Sequence, residues 1–324
     1  MPLHPVIAAD LRTAAELTPY WRLPLGEARA AARLPYLRRS TARVEVAAVR
    51  ELDVPGEAGA IRVRLYTPFG AAPHPLVVFF HGSGFTVLDL DTHDDFCRRL
   101  CVASGGVVAS VDYRLAPEHP YPAGPADCLA ATRWLAAHAD DLDCVDGALA
   151  LAGDSAGGCL AAATALQLRD AGGVQADALV LWYPVTDHPS SRWPSTTEFE
   201  QGFGLSAEGM NWFWQQYLGD ATEATRARVD AASPMRAASL AGLPPLWLAS
   251  AEYDVLRDEG EAFAQRARRE GVPVQLHRAA AMNHGFMKYA GVIDEATQSM
   301  ARACDWLRAI LGAAATTTVK ETQQ

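Results

Sequence analysis

Lysine is nearly absent from this chain. Of its 28 basic residues 26 are arginine, and only Lys288 and Lys320 are lysine. That bias fits GC-rich coding and carries nothing about function. An excess of positive charge is absent altogether, because 38 acidic residues leave a formal net charge of −10. Proteins that track a phosphate backbone rely on clustered cations, so the composition argues against nucleic acid as a partner. No apolar run approaches the roughly 18 residues that a membrane-spanning helix needs. The opening MPLHPVIAADLRTAAEL carries Asp10 and Glu16 and lacks the basic-then-apolar order of a signal peptide; it reads as an amphipathic helix. Cysteine pairing of the C-x-x-C kind is missing too. Cys97 and Cys101 stand one helical turn apart, but no nearby pair completes a metal set, and Cys128, Cys144, Cys159 and Cys304 are scattered. In a chain of this size they read as reduced, buried thiols of a cytoplasmic protein with no metal.

What the chain does have is core material. Half of its residues are hydrophobic and 20% are charged, which excludes a disordered chain. A length of 324 residues suits one large α/β domain with an insertion, or two medium domains. There is no internal repeat, and the stretch after Leu311 is expected to end in a flexible tail over 313–324.

Residues 1–43 hold 7 Arg against 3 acidic residues, with Pro19, Pro24 and Pro35 as breaks. They read as two or three short outer helices. Val-rich alternation over 43–52 and 60–67 predicts antiparallel strands. From Leu76 the pattern changes to continuous apolar runs, as in strands covered on both faces: 76–80, 107–112, 148–152, 178–185, 245–250 and 272–278. Helical stretches separate most of them, at 92–103, 123–138, 156–169, to about Glu270, and finally to near Leu311. Strands alternating with helices predict βαβ units and a mostly parallel sheet with helices on both faces. The alternation breaks at 186–225, where Trp193, Phe199, Phe203, Trp212, Phe213, Trp214 and Tyr217 gather and Ser206 is set to cap a helix. Such an insertion belongs above the C-terminal ends of the strands, where ligands bind.

Gly153-Asp154-Ser155-Ala156-Gly157 lies between a buried strand and a helix. That is the strand–turn–helix setting of a G-x-S-x-G nucleophile elbow. Small neighbours let the turn close around Ser155, and the Ala156 N–H at the helix start can donate to a developing oxyanion. A serine needs a base, and the base an orienting acid. His284 follows the last strand, and Asp254 follows the strand at 245–250, with Asp258 and Glu252 in reserve. All three candidates sit at strand ends, in the chain order Ser, Asp, His of an α/β-hydrolase. His81-Gly82-Ser83-Gly84-Phe85, directly after 76–80, can turn backbone N–H groups toward a carbonyl oxygen.

Together HGSGF, DYRLAPEHPYPA (112–123), GDSAGG, EYDVLRDEG (252–260) and NHGF resemble the hormone-sensitive-lipase family of α/β-hydrolases, the family IV carboxylesterases, across roughly 40–312. The resemblance implies an α/β-hydrolase core over 44–185 and 226–312. It implies a helical cap from 1–43 and 186–225, and pairing of two copies through 272–278, for which the residues themselves give no independent support. It implies Ser155 as nucleophile, His284 as base and then acid, and Asp254 as its orienter. Ser83, Gly84 and Ala156 are then the oxyanion donors, with His81 and Gly82 supporting the loop. Where the family has HGGG this chain has Ser83. We expect its hydroxyl to narrow or polarise the pocket and to tune substrate choice without abolishing activity. If the backbone there needs φ > 0, serine costs roughly 1 kcal/mol over glycine.

The expected function is a serine carboxylesterase acting on short- to medium-chain esters, with water as second substrate and no cofactor. Phe85, Tyr183, Phe203, Leu205 and Phe286 are the candidate pocket-lining residues, the other cap aromatics being its own core. The base must be neutral to take a proton, so activity should rise from acid toward neutral pH. A chymotrypsin-like protease is disfavoured, since its histidine and aspartate precede its serine. A non-catalytic receptor of the same family, like the gibberellin receptors, would lack the histidine that stands here as His284. Deacetylation, amide hydrolysis and acyl transfer on the same scaffold stay open.

Overall fold

The computed structural model describes residues 2–38, 42–219 and 223–322. Residues 39–41 of the expected N-terminal cap segment, 220–222 of the insertion and 323–324 of the tail lie outside the described residues. The chain begins with α1 (Pro5–Ala14) and α2 (Leu25–Arg38), then the hairpin β1 (Ala48–Gly56) and β2 (Gly59–Thr67). The series β3 (His74–Phe80), α3 (Asp94–Ser104), β4 (Val107–Val111), α4 (Ala123–Ala137), β5 (Cys144–Asp154), α5 (Ala156–Ala171) and β6 (Ala178–Trp182) follows. Three helices come next, α6 (Pro194–Glu198), α7 (Ala207–Leu218) and α8 (Glu223–Ala232), and the chain closes with β7 (Leu246–Tyr253), α9 (Arg257–Arg269), β8 (Val274–Asn283) and α10 (Asp294–Thr322). This is the α/β-hydrolase fold.

The eight strands form one sheet in the order β1-β2-β4-β3-β5-β6-β7-β8. β1 and β2 run antiparallel to their neighbours, and every pairing from β4 through β8 is parallel. The side-chain period of a strand explains why the apolar runs are continuous. In β3, Leu76, Val78 and Phe80 enter one core with Cys128, Leu160 and Phe263 of α4, α5 and α9. Val77 and Phe79 enter the other, with Phe96 of α3 and Leu307 of α10. Both faces are dry, so both sets of alternating positions must be apolar. Phe79 and Phe80 are each wholly buried, and truncating such a ring costs about 3–5 kcal/mol.

Differences from the expectations have local causes. β6 stops at Trp182, three residues early, because Tyr183 turns to φ 37° and leaves the strand. Pro35 does not break α2 but sits inside its last turn, where a single lost backbone bond is all it forfeits. α10 is helical as far as Thr322, across most of the stretch expected as a flexible tail. Gly312 alone costs a helix only about 1 kcal/mol against alanine, and three alanines follow it. All six cysteines are buried free thiols. Among the described residues no helix is long and apolar enough to cross a membrane.

The N-terminal segment is bound to α7 and to the loops that follow β3 and β4. Arg22 clasps Glu208 of α7 through two nitrogens, at 3.0 and 2.8 Å. Arg29 of α2 donates to the carbonyls of Thr86 and Ala116 and to Glu118. Ser206 caps α7 as expected, its hydroxyl accepting from the Gly209 N–H at 3.0 Å. Beneath them Glu259 of α9, 3% exposed, accepts the N–H groups of Thr186 and Asp187 at 2.8 and 3.3 Å and so holds the exit of β6.

Burial pushes the Glu259 carboxyl well above the usual range, against the pull of those two N–H groups. A raised folded-state value means that the stability it confers is full below the unfolded value of about 4.3 and is lost as pH rises, by up to about 1.4 kcal/mol per pH unit for one proton. Glu259→Gln keeps an acceptor for both N–H groups and cannot ionise. Urea midpoints between about pH 5 and 8 are expected to favour the variant over wild type increasingly as pH rises; parallel profiles would show that Glu259 ionises freely in the fold.

Candidate active site

β5, β7 and β8 each end by handing one polar side chain to the same rim of the sheet. Ser155 follows β5 directly and takes φ 54° and ψ −120°, outside the helical and extended regions. Its N–H donates to the Trp182 carbonyl, and its carbonyl accepts from Val185 and Cys159, so the turn is fastened to both β6 and α5. The next turn must pass so close to β3 that a Cβ on Gly157 would collide with the Phe80 carbonyl. Only glycine lets α5 begin there.

Asp254 follows β7 and is 1% exposed. Its Oδ1 accepts the Leu256 N–H at 2.9 Å, leaving Oδ2 for His284 Nδ1 at 2.7 Å. His284 Nε2 lies 2.8 Å from Ser155 Oγ. Residues 129 apart in the chain thus stand in one hydrogen-bonded row: hydroxyl, imidazole, carboxylate. The reserve acids are engaged elsewhere: Asp258 accepts the Ser195 N–H and Glu252 the Ala281 N–H. His277 pairs with Glu295. Asn283, beside the imidazole, donates its amide to the Phe203 carbonyl at 2.8 Å.

The loop 81–85 is bound to Asp154, the residue before Ser155. Gly84 and Phe85 both lie at positive φ, 53° and 63°, while Ser83 does not. The expected backbone penalty at Ser83 therefore falls away and passes to Phe85, whose non-glycine left-handed conformation costs roughly 1–2 kcal/mol. Nor does the Ser83 hydroxyl project as a free group into the pocket. Ser83 is 3% exposed, and its Oγ accepts the Phe85 N–H at 2.8 Å and lies 2.6 Å from the Tyr113 hydroxyl. The Ser83 carbonyl accepts from Thr86 and Val87. Among the described residues the N–H groups of Ser83 and Gly84 have no partner. The Ala156 N–H opens α5, where the first helical donors lack intrahelical acceptors.

Beneath the loop, Gly82 donates its N–H to Asp154 Oδ1 at 2.6 Å, and His93 Nε2 stands 3.3 Å from the same oxygen. Burial alone would raise the Asp154 carboxyl, but His93 and the Gly82 N–H outweigh it and hold the group below its usual value. His81 is fully buried, stacks on Tyr113 with centroids 4.5 Å apart, and is driven down to about 3 by desolvation. It is a neutral spacer in the loop, with Nδ1 3.3 Å from the Gly82 carbonyl.

The candidate pocket residues part company. The Tyr183 ring meets His284 edge-on at 4.9 Å. Phe85 is sandwiched flat on Tyr217 at 3.8 Å, beside Trp214. Phe203 stacks on Tyr253 and is partly exposed, as is Leu205. Phe286 is wholly buried and packs against Tyr183, behind the ring that touches the imidazole. A cavity of about 670 Å³ opens beside Asp154 and Tyr183, lined also by Tyr36, Arg43, Arg64 and Asp94; Ser155, Asp254 and His284 do not line it. Tyr113, Asp154 and His93 are the residues the sequence reading missed. Asp154 and Tyr113 lie inside the motifs GDSAGG and DYRLAPEHPYPA, which was signal enough to look for a partner, though not to name it.

A family model described as the alpha/beta hydrolase fold matches residues 77–288. The chain is 42% identical over 282 residues to the esterase LipI of Mycobacterium tuberculosis, a match covering 86% of this chain and 87% of that protein. It is 34% identical to an ethyl acetate hydrolase of Pseudomonas putida, over 93% of this chain and 96% of that one. Its backbone resembles that of a hyperthermophilic esterase from the archaeon Pyrobaculum calidifontis with a TM-score of 0.89 at 36% identity, covering 95% of this chain and 99% of the other.

A Cβ at Gly84 would run into the Phe213 ring, and the position's φ of 53° disfavours any side chain. Gly84→Ala is expected to lower the urea midpoint by the equivalent of about 1–3 kcal/mol. Phe213→Ala in the same chain should recover part of that loss; strictly additive effects would mean that the ring is not what Gly84 avoids.

Proposed function

The chain belongs to the α/β-hydrolase fold family, and on that footing we propose that it is a serine carboxylesterase of the hormone-sensitive-lipase branch, acting from the cytoplasm on short- and medium-chain esters. The observation that carries the reading is the row Ser155–His284–Asp254 at 2.8 and 2.7 Å, set beside the unpartnered N–H groups of Ser83 and Gly84. The five motifs favour the branch, and the six buried free thiols favour a reducing compartment.

Ser155 donates its proton to His284 Nε2 as Oγ attacks the ester carbonyl. Asp254 holds the ring through Nδ1–H and stabilises the imidazolium that forms. Negative charge moves to the carbonyl oxygen, where the Ser83, Gly84 and Ala156 N–H groups receive it, each such donor being worth about 2.7–4 kcal/mol. The intermediate collapses, His284 returns the proton to the departing alcohol, and the acyl group stays on Ser155. Water then repeats the sequence with His284 as base and releases the acid. Tyr183 flanks the imidazole, and Phe85 with Phe203 supplies apolar wall. The lid over these groups is read as 1–43 together with 186–225, with the hydrolase core on either side of the insertion.

Nitrophenyl esters from acetate to palmitate, together with a nitroanilide, test the reading. Wild type is expected to cleave esters best among the short and medium chains, and the amide poorly. Ser155→Ala should lose turnover and labelling by a fluorophosphonate. Asp254→Asn, which leaves the imidazole in the wrong tautomer, should lose about 10⁴-fold in kcat. Full ester turnover in Ser155→Ala would overturn the mechanism, and a maximum among the long-chain esters would overturn the substrate class.

A further inference from the structure

The contacts around Ser83 form a chain of three hydrogen bonds whose direction is fixed by its ends. At one end the Phe85 N–H can only donate, and it reaches Ser83 Oγ at 2.8 Å. At the other end the His81 carbonyl can only accept, and Tyr113 Oη lies 2.6 Å from it. Between them the two hydroxyls are 2.6 Å apart. Each hydroxyl has one proton to give. Tyr113 spends its proton on His81, so Ser83 must donate to Tyr113. The order Phe85 N–H, Ser83 O–H, Tyr113 O–H, His81 C=O is thus complete, with every proton used once.

We infer that this relay makes the Ser83 hydroxyl and Tyr113 positioning residues for the oxyanion loop. The inference rests on the esterase reading given above. The relay ties both ends of the segment 81–85 to one phenol, and the two N–H groups assigned to the oxyanion lie between the tied points. Tyr113 is itself immobile. It is 3% exposed, its ring face is covered by His81, and burial raises its hydroxyl well above the usual range, so the phenol keeps the proton the relay needs. The neighbouring Arg114 is locked to Asp127 by paired bonds of 2.8 Å. At the far end the Phe85 N–H is drawn back onto Ser83, which holds the consecutive left-handed residues Gly84 and Phe85 in place. The hydroxyl is consumed inside the loop, so its effect falls on the aim of the donors and not on substrate contacts. Hydrogen bonds that share partners polarise one another and act as a unit.

The experiment measures kcat and KM on nitrophenyl butyrate, and inhibition by a trifluoromethyl ketone whose hemiketal mimics the charged intermediate. The proteins are wild type, Ser83→Ala, Ser83→Gly, Tyr113→Phe and the double variant Ser83→Ala/Tyr113→Phe, with Ser155→Ala as control. Each single variant is expected to lose roughly three- to tenfold in kcat with KM within about twofold, and to bind the ketone weaker by the same factor. The double variant should be no worse than the weaker single, because a relay is broken once. Ser83→Gly and Ser83→Ala should agree, since both remove the hydroxyl. Wild-type kcat and ketone affinity in Ser83→Ala and Ser83→Gly would overturn the inference, as would losses confined to KM or multiplying in the double variant. If Ser155→Ala is inactive while these outcomes hold, the inference alone falls. If Ser155→Ala matches wild type, the esterase reading and the inference fall together.

Discussion

Ser155 sits at φ 54° and ψ −120°, a backbone conformation that costs an L-residue on the order of 1–3 kcal/mol and persists only where the surroundings over-determine it. Here the surroundings do so from three sides. The Trp182 carbonyl binds the residue to the end of β6, the Val185 N–H to the loop after it and the Cys159 N–H to α5, while the bare Cα of Gly157 lets the helix press against the end of β3. Relaxing the turn would break three backbone bonds at once. The strain lifts the hydroxyl clear of the sheet toward an imidazole that enters from β8.

The same economy of fixed groups recurs around it. Asp154 precedes the hydroxyl in the chain and takes the Gly82 N–H, while His93 stands against the same oxygen. Ser83 and Tyr113 bind the loop a second time. The backbone N–H groups of 83 and 84 thus lie in a loop anchored by a carboxylate and by a phenol. Donors that need not reorganise as charge develops are worth more than mobile ones. The buried polar atoms around Ser155 serve mainly to hold other polar atoms still.

Much of this was legible beforehand for a physical reason. Parallel strands buried on both faces must read as unbroken apolar runs, so the few residues beyond the runs 148–152, 245–250 and 272–278 belong to the rim; that placement, joined to the G-x-S-x-G turn and the chain order, singled out Ser155, Asp254 and His284. The hairpin of β1 and β2 announced itself by alternation. What escaped were features that depend on distant neighbours. Ser83 looked like a group projecting into the pocket, because its partner lies 30 residues away and nothing local points to it. The early end of β6 follows from the twist at Tyr183, which apolar character cannot encode. Phe286 lies one ring behind Tyr183, a contact that no local pattern announces.

The amide of Asn283 grips the Phe203 carbonyl, one residue before the imidazole. That bond ties the aromatic stretch 199–205 to the peptide that carries the His284 ring, so neither can shift without the other feeling it.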